Sequence, residues 1–196
     1  VLIRIIQSMY CAASQSKNIY SHNYSDLSIE VANRIKEAHP FLDFTIFETV
    51  QLNEFINHQI GRNTLFVNTN LSTADYVFDT LQEIYPGQVL LHPSLEIYHQ
   101  YRQENTIVLS NLISEAPLLK TDTWKVSVEK LLVDLIADPI LIDSISEQEL
   151  PAIFEGLFEK YLVDESKLFR YAKRRHAYDK IINFIADKTT ITLRTI

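Results

Sequence analysis

The amino-acid sequence predicts an α/β fold, with α+β as the near alternative: a small mixed sheet with flanking helices, followed by a C-terminal helical bundle. Three observations lead there. Residues 43–109 alternate strand-like runs with helical periodicities, the order that builds an at least partly parallel sheet covered by helices. Residues after 126 carry only the apolar spacing of helices. The 196 residues are 46% hydrophobic and 22% charged, ordinary for a globular chain long enough to bury a core.

Taken in order, residues 1–7 read as a strand, and the polar, Ser- and Asn-bearing stretch 11–24 as a linker or surface crossing. Residues 26–38 form a helix with Leu27, Val31, Ile35 and Ala38 on one face, closed by Pro40. FTIF at 44–47 is a strand, and LNEFI at 52–56 a short helix. Gly61 turns the chain into TLFV at 64–67, the second strand. Ser72 and Asp75 have the spacing of a capping box opening a helix with Val77, Phe78, Leu81 and Ile84. Pro86-Gly87 turns into the strand VLL at 89–91, Pro93 starts a helix with Leu95, Ile97, Tyr98 and Tyr101, and TIVL at 106–109 is the fourth strand. Helices follow over 127–137, 147–161, 165–175 and 177–187, with Ser127, Ser146 and Asp164 as cap candidates and Pro151 confined to a first turn. The resulting division is an α/β half over 25–120 and a helical half over 121–196 of one domain, preceded by the linker and the short N-terminal strand.

The most informative stretch is VSVEKLLVDLIADP at 126–139. Ser127 can accept a free N–H of the first turn, and Glu129 suits the positive end of the helix dipole. Val128, Leu131, Leu132 and Leu135 make one buried face, while Lys130 and Asp134 are four apart and can pair. Composition alone reads this as a core helix with a solvated charge pair that stops at Pro139.

Composition also excludes chemistry. Three glycines leave no room for a Gly-rich phosphate loop or dinucleotide fingerprint. One cysteine, Cys11, rules out an internal disulfide and argues against a cysteine zinc site, so a reducing, cytoplasmic setting is expected. No apolar run is long enough to cross a bilayer, and no membrane partner is expected. The six histidines show no metal-ligand spacing, so no metal or cofactor is expected. A metal-dependent nuclease or nucleotidyl-transfer domain would have to use Asp43, Glu48 and Glu129, without a Glu-x-Lys on a strand to complete the pattern. Charge is uneven: residues 1–156 carry a net −11 and residues 157–196 a net +4. The acidic body argues against non-specific DNA binding by this chain alone. In the basic quarter, Arg170, Lys173 and Arg174 share a helix face, with Arg175 beside them. Planar guanidiniums there suit phosphate or carboxylate.

Several blocks resemble one family. PFLDFTIFETVQLNEFINH at 40–58, LISEAPL at 112–118, VEKLLVD at 128–134 and KLFRYAKRR at 167–175 are similar, in order and spacing, to blocks of the AbiEi-like antitoxins and predicted transcriptional regulators of viral defence. The resemblance implies the C-terminal domain of an abortive-infection, type IV toxin–antitoxin protein. Such a domain is no enzyme; it binds a cognate nucleotidyltransferase-like toxin and supports autoregulation. It implies operator DNA binding through an upstream winged helix, of which RIIQSMY at 4–10 resembles the closing wing strand, with Ser8 in place of the usual glycine. On this reading residues 1–10 are a wing remnant. Arg170, Lys173, Arg174 and Arg175 form a contact surface for partner or nucleic acid. Glu129, Lys130 and Asp134 organise the helical half, and Asn53, Glu54 and His58 form a second polar cluster. A homodimer, or a purely structural dimerisation module, is the blander alternative.

Overall fold

A computed structural model describes residues 2–6, 9–12 and 17–194, with side chains from residue 17 onward. Strands β1 (Leu2–Ile6) and β2 (Met9–Ala12) pair antiparallel, with Leu2 opposite Ala12 and Arg4 opposite Tyr10. The expected first strand is thus one arm of a hairpin, and its second arm takes the start of the expected linker. Ser8 and residues 13–16 lie outside the described residues.

The α/β expectation holds. Four strands, β3 (Phe44–Glu48), β4 (Thr64–Thr69), β5 (Val89–Leu91) and β6 (Thr106–Asn111), form a mixed sheet in the order β3-β4-β6-β5. β3 runs antiparallel to β4, while β4 and β5 both run parallel to β6. Strand side chains alternate between two faces. Phe44, Ile46, Leu65, Val67, Ile107 and Leu109 cluster with Val31 and Ile35 of α1 (Asp26–Ala38) and Val77 and Leu81 of α2 (Ala74–Ile84). Phe47, Phe66 and Val108 point the other way, into a cluster with the C-terminal helices. The sheet is therefore the middle of three layers, which explains strands that are apolar on both sides.

That second layer comprises α3 (Leu95–Tyr101), α4 (Val128–Ala137), α5 (Pro139–Asp143), α6 (Leu150–Lys160), α7 (Glu165–Arg174) and α8 (Tyr178–Lys188). The caps expected at Ser127 and Asp164 form: their side chains accept Lys130 N–H and Lys167 N–H at 3.2 and 3.1 Å. The outer edge of β3 is sealed by residues 124–126. Ile46 N–H donates to Trp124 O at 2.6 Å, and the Tyr24 hydroxyl donates to Ile46 O while accepting Val126 N–H, each at 3.0 Å. An edge covered this way cannot recruit a foreign strand.

Four local expectations change. The helix at 52–56 is a 3₁₀ segment, Thr49–Glu54, set earlier because it continues directly from β3. The Ser72 cap is not made: a 3₁₀ turn, Leu71–Thr73, precedes α2, and Thr73 spends its hydroxyl on Asn70 O at 2.9 Å. Pro139 ends α4 and also begins α5, because Asp138 caps the new helix by accepting Ile140 N–H and Leu141 N–H. Ser146 does not cap α6. It offers its carbonyl to Glu149 N–H in a turn, and the helix starts at Leu150 with Pro151 in its first turn.

Residues 17–24, expected as linker, lie along the body as a strap. Asn18 bridges Tyr161 through Asn18 N–H to Lys160 O and Leu162 N–H to Asn18 O, at 3.2 and 2.8 Å. The Tyr20 ring meets Tyr161 edge-on with centroids 4.9 Å apart. Burial pushes the Tyr24 phenol up to about 12, so it stays a donor at any working pH.

Candidate functional site

Three of the four resemblance blocks, far apart in sequence, meet at one place. Ser127 ties the first two together: its oxygen caps α4 while its hydroxyl donates to Pro117 O at 2.8 Å, pinning the 112–118 loop against the helix. α4 then grips α7 at both ends. Glu129 accepts Asp164 N–H at 3.0 Å, at the very residue that caps α7. One helical turn on, Asp134 accepts the Tyr171 hydroxyl at 3.1 Å and faces Arg175 Nε at 3.5 Å.

Lys130 sits between these grips, and it is not the solvated residue that its spacing suggested. Its side chain is 4% exposed, with Nζ 2.5 Å from Asp134 Oδ2 and 2.6 Å from Asn68 Oδ1 on β4. It is buried because α4 lies flat on the sheet, and Asn68 falls on the sheet face that α4 covers. A buried ammonium is tolerable only when paired and hydrogen-bonded, and Lys130 is both. Burial, and then the Asp134 carboxylate, drive the Tyr171 phenol far above its usual range, so it remains a fixed donor to that carboxylate. Asn68 was not singled out in the sequence; nothing local marks a strand asparagine as the partner of a lysine 62 residues on. The cavity bounded by Asn68, Lys130, Asp134 and Asp138 is about 10 Å³, room for about one water molecule and no substrate.

Outside this closed network lies an exposed cationic face. Arg170 is 62% exposed and stands 3.9 Å from Glu115. Arg174 Nε donates to Ser114 Oγ at 2.6 Å, and Lys173 lies 4.9 Å over the Tyr178 ring. The 112–118 loop and α7 therefore present one continuous surface. Arg175 does not join it. It falls just past the last turn of α7, on the side facing α4, and its guanidinium turns inward to Asp134 with its side chain only 17% exposed.

Asn53, Glu54 and His58 do not come together as a cluster. Asn53 accepts Ile60 N–H at 2.8 Å and closes its own loop. Glu54 serves the strap and α6: it takes Lys160, accepts the Tyr161 hydroxyl at 3.3 Å and lies 3.8 Å from His22. His58 is almost fully exposed and pairs with Glu149 at 2.9 Å, holding that carboxyl below its ordinary range. The neighbours on a 3₁₀ segment and its loop simply point in different directions.

The carboxylates of the nuclease alternative also diverge. Glu48 is buried and accepts Ser25 N–H and the Asn63 amide at 2.7 and 3.1 Å. Glu129 is taken by Asp164 N–H, and Asp43 is exposed on the strand approach. Among the described residues no three His, Cys, Asp or Glu side chains group as metal ligands. No helix among them is long and apolar enough to cross a membrane.

The extent of the match decides the relationship, since a family sequence pattern fits residues 1–191 of the chain. The chain belongs to DUF6577, a family of unknown function. Comparison with curated proteins and with solved structures finds no match. The geometry of this chain at the meeting of the three blocks is a sealed ionic joint beneath an exposed basic ridge.

Proposed function

We propose that this chain is the C-terminal domain of a transcriptional regulator or antitoxin of an abortive-infection, type IV toxin–antitoxin system. It acts by protein binding and supports autoregulation of its operon. The observation that carries the reading is the convergence of the 112–118, 128–134 and 167–175 blocks on one joint. The interior of that joint is filled, and its outer face carries Arg170, Lys173 and Arg174. A filled interior favours a binding surface over a reaction chamber, and a polar rim of arginines is what specific interfaces use. The partner of that ridge is the acidic face of a cognate nucleotidyltransferase-like toxin. Operator contact falls to an upstream winged helix, for which the β1–β2 hairpin would be the wing.

The test replaces Arg170, Lys173 and Arg174 together with Glu in the full-length protein. The expected outcome is loss of toxin neutralisation with an unchanged melting temperature, because all three side chains are exposed. Full neutralisation by the triple variant removes the ridge from the interface. The competing enzyme reading makes the opposite forecast: metal-dependent turnover of nucleic acid or nucleotide, lost in Glu48→Gln.

A further inference from the structure

At the opposite end of the parallel strands from the basic ridge, the amino end of β4 opens into a cleft of about 500 Å³. That volume lies within the roughly 300–1,000 Å³ of small-molecule sites. Its floor is a chain of three hydroxyls: Thr64 Oγ1 is 2.9 Å from the Tyr98 hydroxyl, which is 3.0 Å from Ser144 Oγ. The direction of the chain is fixed at one end, because Ser144 donates to Ile140 O at 2.7 Å. Tyr98 must then donate to Ser144, and Thr64 to Tyr98. Every hydroxyl hydrogen is already spent, on the next hydroxyl or on Ile140 O, so the floor offers only lone pairs to the cleft.

The walls offer the reverse. Arg102 lies 5.6 Å over the Tyr98 ring and reaches Asp143 only at 3.9 Å; that carboxylate is already held by His99 at 3.2 Å. Arg62, exposed on the turn after Gly61, has no side-chain partner among the described residues. Two guanidiniums thus line one cleft with most of their donors unused. A planar carboxylate is satisfied by a single guanidinium fork, whereas a tetrahedral phosphate can take donors from two sides.

We infer that this cleft binds a small phosphate monoester bearing several hydroxyl groups, a sugar phosphate in chemical class, between Arg62, Arg102 and the Thr64–Tyr98–Ser144 floor. The phosphate lies between the arginines, and the ligand hydroxyls donate to the floor. The site shares no residue with the α7 ridge, so its fate does not depend on the proposed interface.

The test is calorimetric titration of the full chain with ribose 5-phosphate, and separately with ribose and with inorganic phosphate. Ribose 5-phosphate is expected to saturate and to bind about ten-fold or more tighter than either component, about 1.4 kcal/mol or more. Arg62→Ala weakens it about ten-fold without changing the melt, since one charge-assisted contact is lost from an exposed side chain. In Gly61→Phe, whose new Cβ meets nothing within 4 Å, the ring fills the cleft mouth and abolishes binding in a folded protein. Arg170→Glu leaves binding unchanged. Absence of saturation, equal affinity for inorganic phosphate alone, or full binding by Arg62→Ala or by Gly61→Phe overturns the assignment.

Discussion

Lys130 shows how far a single side chain could be read ahead of the fold. Its pairing with Asp134 followed from a four-residue spacing, and its position in the first turn from the Ser127 cap. Both are local facts, and local facts are legible. Its burial was not, because burial depends on α4 lying against a strand from the other half of the chain, with Asn68 waiting there. The Tyr171 and Arg175 partners of Asp134 were equally hidden; the sequence groups Arg175 with Arg170, Lys173 and Arg174 on one contact surface, and only the fold distinguishes the arginine that turns in. The consequence is energetic. Removing Lys130 leaves the Asp134 carboxylate, 13% exposed, with Tyr171 and a poorly aligned Arg175 as its remaining support. Breaking a buried pair from one side costs about 3–5 kcal/mol, and these survivors bring the expectation to the lower end, about 3 kcal/mol for Lys130→Ala. Urea unfolding measures it directly. A loss within the ordinary range of a surface substitution, about 0.5 kcal/mol, contradicts the buried-pair account.

Elements meet in this protein through a few close approaches that composition could not reveal. Gly156, in the middle of α6, was unremarkable in the sequence. Yet a Cβ there would stand 2.5 Å from Phe55 Cδ1, so the 3₁₀ segment and its loop press directly on the helix backbone. Gly156→Ala should therefore lose more from overpacking, about 1–3 kcal/mol, than it gains from helix propensity, about 1 kcal/mol. Adding Phe55→Leu should recover part of the loss, and thermal melts of the single and double variants decide it. The strap and the 3₁₀ segment meet through charge instead. Burial holds the His22 imidazole below its usual range of about 6.5, while Glu54 pulls weakly the other way. The unfolded chain therefore takes the proton first, and stability is lost as pH falls from 6.5 toward the depressed folded value. His22→Gln should flatten that part of the stability profile. The fall at lower pH should remain, because Glu149 and Glu155 have carboxyls depressed below 4.5 by the His58 and Thr190 hydrogen bonds and lose their contribution only there. A profile of His22→Gln that matches the parent above pH 5 removes His22 as the cause.

At the scale of the molecule, the alternation of strands and helices announced the class and an at least partly parallel sheet with flanking helices. What it could not announce was which helices cover which face. Phe47, Phe66 and Val108 lie on the face away from α1 and α2, and α4 packs against them there while α6, α7 and α8 cover its remaining sides. This arrangement fills the carboxyl end of the parallel strands, where α/β folds commonly bind ligands, with Lys130 and its partners, and leaves the amino end open. It also fuses the two halves. Leu131, Leu132 and Phe154 share one apolar cluster with Phe47, Phe66 and Val108, so the helical half closes its core on the sheet, whose other face closes a second core with α1 and α2. The intact chain is expected to unfold in one transition, with far-UV and near-UV signals coincident. Residues 121–196 expressed alone are expected to lack fixed near-UV ellipticity and to bind a hydrophobic dye, because the face that Phe47, Phe66 and Val108 cover becomes exposed. Mixing that fragment with residues 1–120 should restore the near-UV signal if the sheet is the missing surface. A cooperative transition in the isolated helical fragment, with a slope scaled to its own size, would show instead that the helices need no sheet and that the joint at Lys130 is a contact between two independent folds.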